Sequence, residues 1–160
     1  MKSSTQMANS VSRGQGWVIG QFVLIGCIIV SGFFDPWHQP RGIATSIVGV
    51  GMMILGIYCL VVAFRHLGAN LTAYPKPLDD GQLVTTGIYA IVRHPIYTGL
   101  LAACVGVAII SQSSICGVFV VALILLLNQK ANREEGFLCA RFADYPTYRT
   151  HTNKFIPFIW

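Results

Sequence analysis

Arg93, His94 and Pro95 stand side by side between Tyr89 and Tyr97, directly at the start of the apolar run Ile96 to Ile110. A cation, a titratable ring and a helix breaker at the edge of a membrane segment are costly together. The ring faces of Tyr89 and Tyr97 can attract a cationic ligand centre. A second group lies in Lys130-Ala-Asn-Arg-Glu-Glu135, where Lys130 and Glu134 are four apart and share one helical face. A carboxylate there can accept hydrogen bonds from a ribose or an ammonium group, and the cations can hold a ligand carboxylate. Each group also has a plainer reading. Arg93 can snorkel, His94 can be a satisfied interfacial ring, the glutamates can be a solvated helix turn, and the tyrosines can belong to an aromatic belt. Four clusters converge on one leaflet: Leu83 to Tyr89, Arg93 to Tyr97, Lys130 to Glu135 and the loop around Tyr74. That convergence points to a polar ligand held at the lipid–water boundary.

The elements that must position these residues are apolar. The chain has 160 residues, is 54% hydrophobic and only 11% charged, which marks an integral membrane protein of one domain, residues 1–160. Segments 17–34 and 43–64 are long enough to cross a hydrocarbon core. Segments 96–110 and 115–127 are shorter, and Ser111-Gln-Ser-Ser114 between them reads as a tight turn. Flanking residues, Gly87 to Pro95 on one side and Asn128 to Ala131 on the other, can extend each to full length. The expected fold is therefore all-α: a polytopic bundle of four transmembrane helices, the last two a hairpin, with a cytoplasmic helix continuing from Lys130 and ending near Ala143 to Tyr145 ahead of Pro146.

Basic residues stay in the cytoplasm. With the N-terminus inside, ten of the eleven Lys and Arg residues are cytoplasmic and Arg41 alone is outside. Both termini are thus expected in the cytoplasm. The net charge of +5 is then explained by topology and by membrane lipid, and no nucleic-acid partner is needed. Phe34 to Gly42, with Pro36, Trp37 and Pro40, reads as a short external turn. Tyr74-Pro-Lys-Pro-Leu-Asp-Asp-Gly81 cannot be a regular helix. Small residues at four-residue spacing (Thr45 with Gly49, Gly99 with Ala103, Ala102 with Gly106) suit close helix packing in lipid. The five scattered cysteines show neither metal-ligand spacing nor a disulfide framework, and no metal is expected. Pro95 makes the entry to the third span irregular, and irregular backbone at membrane depth must be buried in protein or face a cavity.

The order of these motifs resembles the isoprenylcysteine carboxyl methyltransferase family and its phospholipid methyltransferase relatives. Three signatures carry the resemblance over residues 80–157: Leu83-Val-Thr-Thr-Gly-Ile-Tyr89, then Arg93-His-Pro-Ile-Tyr-Thr-Gly99, then the Glu134-Glu135 pair with Leu138, Phe142, Tyr145, Tyr148 and Ile156-Pro157. The resemblance implies an S-adenosyl-L-methionine pocket facing the cytoplasm and a lipophilic or membrane-embedded methyl acceptor arriving from the bilayer. Gln82, Leu83, Val84, Tyr89, Arg93, His94, Pro95, Ile96, Tyr97, Glu134 and Glu135 are implied for the methyl donor. Lys130 falls where the family often has an arginine near the acceptor, with Arg133 as a second cation. Gly81 falls where many relatives have a histidine.

Methyl transfer from a sulfonium is an in-line displacement that loses charge, so positioning and desolvation can supply much of the acceleration. A carboxylate acceptor, such as that of a prenylcysteine, needs no strong base. An amine or thiol would make His94 or a carboxylate a base. The competing expectation is a non-enzymatic membrane transporter or assembly factor. Against it, the polar groups gather at one leaflet and none sits mid-bilayer.

Overall fold

Apolar runs of this length fold as helices because the bilayer interior offers no partner for unpaired backbone groups. The computed structural model describes residues 14–34, 42–72, 74–75 and 80–157. Residues 1–13, the expected turn around Trp37, Arg41 and residues 76–79 of the proline-rich segment lie outside the described residues. Five α-helices follow in order: α1 (Gln15–Phe34), α2 (Ile43–Leu67), α3 (Pro95–Ser111), α4 (Ser114–Arg141) and α5 (Tyr145–His151). Short 3-10 turns occupy Gly68–Asn70 and Gly87–Ala90. Among the described residues the fold is all-helical, apart from an isolated bridge between Val92 and Asn153.

Three helices are long and apolar enough to cross a membrane: α1, α2 with its 3-10 extension, and α4. α3, at 17 residues, is shorter. Gly87–His94 does not lengthen it. Pro95 occupies the first helical turn, where its missing N–H is no loss, and Gly87–Ala90 forms a separate 3-10 turn. The expected tight turn is present. Gln112 ends α3 in the left-handed region at φ 50, and the Ser113 hydroxyl caps α4 by accepting from the Cys116 N–H at 3.0 Å. α4 runs without interruption from the apolar segment through Lys130 and both glutamates to Arg141.

α3 is the central helix: none of its residues is exposed, and α1, α2 and α4 all pack against it. The other three present Phe22, Ile47, Leu55, Val118 and Leu125 outward, as a lipid-facing surface requires. The α2–α3 seam is built on glycine. A Cβ on Gly106 would stand 2.6 Å from the Gly49 carbonyl oxygen, and one on Gly56 would stand 2.6 Å from that of Gly99. The helices therefore approach backbone to backbone. On the other side of α3, Ile28, Cys104, Cys116, Val120, Leu123 and Leu127 form the buried core. All five cysteines are free.

Candidate active site

The approach to α3 is fixed from two directions. Gly87 has φ 62, and the His66 ring at the end of α2 lies directly where a Cβ would be. Only glycine satisfies both the positive φ and the close ring. From the other side the C-terminal segment pairs with the approach. The Arg93 N–H donates to the Asn153 carbonyl at 2.8 Å and the His94 N–H to the Lys154 carbonyl at 3.1 Å. The Thr98 hydroxyl donates to the Phe155 carbonyl at 2.8 Å. Phe155 is buried against the His94 and Tyr97 rings. Lys154 reaches α4, donating to the side chains of Asn128 and Asn132, and burial pulls its ammonium below the usual lysine range. This part of the tail is packed into the protein.

Glu135 is the centre of the clasp. It accepts from Arg93 Nε at 3.0 Å, lies 3.1 Å from His94 Nε2 and pairs with Arg149 Nε at 3.2 Å, while itself 3% exposed. Arg93 also donates through Nη1 to the carbonyls of Arg149 and Thr152. A buried carboxylate needs such a full set of partners. Glu134, the next residue, accepts from the Tyr97 hydroxyl at 2.9 Å, and its Oε2 lies 3.8 Å from His94 Nδ1. The His94 and Tyr97 rings stack in parallel with centroids 5.4 Å apart. The Lys130 ammonium lies 5.1 Å from the Tyr97 ring centroid, is 2% exposed, and donates to Gln21 Oε1 at 2.7 Å.

These groups border a cavity of about 490 Å³, a size typical of small-molecule sites. It lies where the start of α1, the end of α2, the start of α3 and the C-terminal half of α4 meet. Of the residues singled out in the sequence, Gln82, Leu83, Val84, Tyr89, Arg93, His94, Pro95, Ile96, Tyr97, Lys130 and Glu134 line it. Arg133 and Glu135 are not among its lining residues; Arg133 lies by the Phe137 ring. Sequence reasoning missed the contributions of Gln21 and Phe22 on α1, Phe64 and Leu67 on α2, and Asn70; Tyr145, named only within the third signature, lines the cavity as well. Gln21 alone carried a signal, as an amide inside an otherwise apolar helix. Asn70 is tied in by its side-chain oxygen, which accepts from the Gln82 N–H at 2.7 Å.

Two features of the wall suit a polar ligand of nucleoside size. The Tyr89 and Tyr145 hydroxyls are buried and have no partner among the described residues, and burial raises both phenols above the usual tyrosine range. Such groups are costly unless something accepts their protons. The Glu134 side chain is 26% exposed and accepts only from Tyr97 among the described residues, so it retains capacity for a ligand donor. Phe64, Leu67, Ile96, Leu138 and Phe142 supply apolar walls. Among the described residues no cluster of His, Cys, Asp and Glu could hold a metal ion.

Helices of membrane-crossing length around a terminal cavity define a polytopic membrane protein with a pocket of small-molecule size. Residues 44–144 match the family model for phospholipid methyltransferase, and the chain belongs to that family. It is similar to the protein-S-isoprenylcysteine O-methyltransferase of Saccharomyces cerevisiae, 28% identical over 86% of this chain and 61% of the relative. The Schizosaccharomyces pombe protein of the same name is 32% identical over 69% of this chain and 48% of its own length. The cobalt-zinc-cadmium resistance protein CzcN of Cupriavidus metallidurans is 24% identical over 88% of this chain and 61% of its own. The solved structure of the eukaryotic intramembrane Ras methyltransferase ICMT matches with a TM-score of 0.66 and 25% identity, over 91% of this chain and 53% of that one. The chain thus spans about half to three-fifths of the length of these relatives.

Proposed function

We propose that this chain is a membrane methyltransferase that uses S-adenosyl-L-methionine to methylate a lipophilic acceptor drawn from the bilayer. The acceptor class we favour is a carboxylate of the prenylcysteine type. The observation that carries the reading is a single cavity joining the Arg93–Tyr97 turn, Glu134 on α4 and the unpartnered Tyr89 and Tyr145 hydroxyls. Family membership and the likeness to protein-S-isoprenylcysteine O-methyltransferases support the same reaction. In this reading α3 completes a fourth crossing, both termini are cytoplasmic, and the cavity faces the cytoplasm, as the distribution of basic residues favours.

When bound, S-adenosyl-L-methionine supplies an electrophilic methyl group on a sulfonium. Gln82, Leu83, Val84, Tyr89, Pro95, Ile96 and Tyr97 are the residues that would hold it, with Glu134 accepting from its ribose or ammonium groups. His94 lies between the two glutamates and keeps Tyr97 stacked in place. Arg93 and Glu135 hold His94 through the clasp and serve the site by positioning. Lys130, rather than Arg133, is the cation that would meet an anionic acceptor, since only Lys130 lines the cavity among these two. Phe64, Leu67 and Phe142 exclude water, which favours a step in which charge is neutralised. A carboxylate acceptor is nucleophilic at neutral pH, so no group on the chain has to remove a proton.

Phe22 and Phe64 line the cavity and are also exposed on the outer surface of the bundle. A lipophilic acceptor can therefore enter beside them from the membrane. The test is transfer of a tritiated methyl group from S-adenosyl-L-methionine to lipid extracts and to S-prenylcysteine acids by the purified protein in nanodiscs. Label in an alkali-labile ester is expected. Calorimetry showing no binding of S-adenosylhomocysteine, together with no transfer to any extract, would overturn the proposal.

A further inference from the structure

Gln21 is an amide within α1, a helix whose other cavity-lining residues are Val18 and Phe22. An amide at that depth is costly unless it is bonded. Its Oε1 accepts from Lys130 Nζ at 2.7 Å, and both residues line the same cavity. Lys130 is 2% exposed and bonds to no other described group, apart from lying over the Tyr97 ring. The Gln21 amide nitrogen, with two protons to give, has no partner among the described residues. The pair thus sets an ammonium and a primary amide next to each other at the wall, on the side where Phe22 reaches the lipid-facing surface.

A glutamine needed only to satisfy a buried lysine could be any oxygen acceptor. What distinguishes Gln21 is that binding Lys130 through its oxygen leaves its donor end unspent. An ammonium beside an amide N–H₂ is a two-donor arrangement for an anionic oxygen. An amine brings no anionic oxygen to these donors, and a neutral carbonyl meets them without the charge assistance that a carboxylate adds.

Resting on the proposed methyl transfer, we propose that Gln21 is a specificity-determining residue. It fixes the Lys130 ammonium at the cavity wall and adds a second donor for the anionic oxygen of the acceptor. α1, which lies outside the motif-bearing part of the chain, thereby becomes part of the acceptor subsite. Glu134 and Tyr97 lie next to Lys130 on its other side, so the subsite borders the region assigned to the methyl donor.

The test compares the full chain in nanodiscs with its Gln21→Leu and Gln21→Glu variants. Calorimetry gives the S-adenosylhomocysteine affinity. With that ligand saturating, the affinities of N-acetyl-S-farnesylcysteine and its primary carboxamide are then measured. The wild type is expected to prefer the carboxylate by about tenfold or more, the scale of a charge-assisted hydrogen bond. Gln21→Glu keeps an oxygen for Lys130 but loses the donor and adds a negative charge. It is expected to abolish the preference while the S-adenosylhomocysteine affinity stays within about twofold of wild type. Gln21→Leu, which suits a lipid-facing helix, is expected to lose most of the preference as well. Retention of the wild-type preference by Gln21→Glu overturns the inference. So does a wild type that binds S-adenosylhomocysteine yet does not distinguish carboxylate from carboxamide, a result that leaves the methyl-donor reading standing. A wild type that binds no S-adenosylhomocysteine removes that underlying reading instead.

Discussion

Glu134 and Glu135 are neighbours on α4 with separate surroundings. Glu134 accepts from the Tyr97 hydroxyl at 2.9 Å in the cavity wall. Glu135 accepts from Arg93 at 3.0 Å inside the clasp that holds the C-terminal segment to the start of α3. Successive residues on an α-helix point about 100° apart, and here that angle separates a cavity-facing carboxylate from one held inside the clasp. His94 lies against both, 3.1 Å from Glu135 and 3.8 Å from Glu134.

Substituting each glutamate separates the two surroundings. Glu134→Gln should weaken S-adenosylhomocysteine binding by about tenfold or more and leave thermal stability nearly unchanged. Glu135→Gln leaves Arg93 and His94 buried without their carboxylate, and should cost about 3 kcal/mol of stability. Melting curves and calorimetry on the two variants check this. Equal effects of both on stability would contradict it.

High pH should loosen the tail. The Tyr148 hydroxyl donates to the Tyr89 carbonyl at 2.6 Å, and burial pushes its phenol up to about 12. The folded state therefore prefers the neutral phenol. That contribution is whole below the ordinary tyrosine pKa of about 10 and is lost as pH rises through the raised value. Tyr148→Phe should flatten the fall in melting temperature between about pH 10 and 12 relative to wild type, the span of these two pKa values. An unchanged slope would count against the assignment.

The α2–α3 seam should tolerate no side chain. Gly106→Leu forces a Cβ against the Gly49 carbonyl oxygen and the Met53 backbone, whereas Gly51→Leu meets nothing within 4 Å. The first should destabilise by at least about 2 kcal/mol and the second by less than about 0.5 kcal/mol, read as melting temperature in one detergent. Similar melting temperatures would mean that the seam is not closely packed.

Gly87→Ala should disturb the turn ahead of α3 in two ways, through its φ of 62 and through collision with the His66 ring. The backbone part is about 1 kcal/mol, and the collision adds to it. The double variant Gly87→Ala, His66→Ala should recover the second part only. Full recovery, or none, on thermal denaturation would show that one of the two causes is absent.

Much of this arrangement was legible in the residues themselves. Apolar runs marked the helices to within a few residues, Pro95 announced an irregular entry to α3, and the glycines of α2 and α3 announced close packing. The four-residue spacing from Lys130 singled out Glu134, but sequence alone gave Glu135 no role of its own, because helix phase against the rest of the bundle is set by tertiary packing. It also read Gly87 to Pro95 as material to lengthen the third span. The His66 ring and the pairing with Asn153 and Lys154, both distant in sequence, decide otherwise. Gln21 escaped notice for the same reason: it gains meaning only from the Lys130 partner that the fold brings.

The central claim is that one cavity between the Arg93–Tyr97 turn and Glu134 receives the methyl donor. Its most direct test is photo-crosslinking of the nanodisc protein with an azido-adenosyl analogue of S-adenosylmethionine, followed by peptide mapping. Label is predicted on peptides carrying Gln82 to Tyr97 and Lys130 to Tyr148, and it should vanish with excess S-adenosylhomocysteine. Label spread over the outward faces of α1 and α2, or indifferent to the competitor, would contradict the claim.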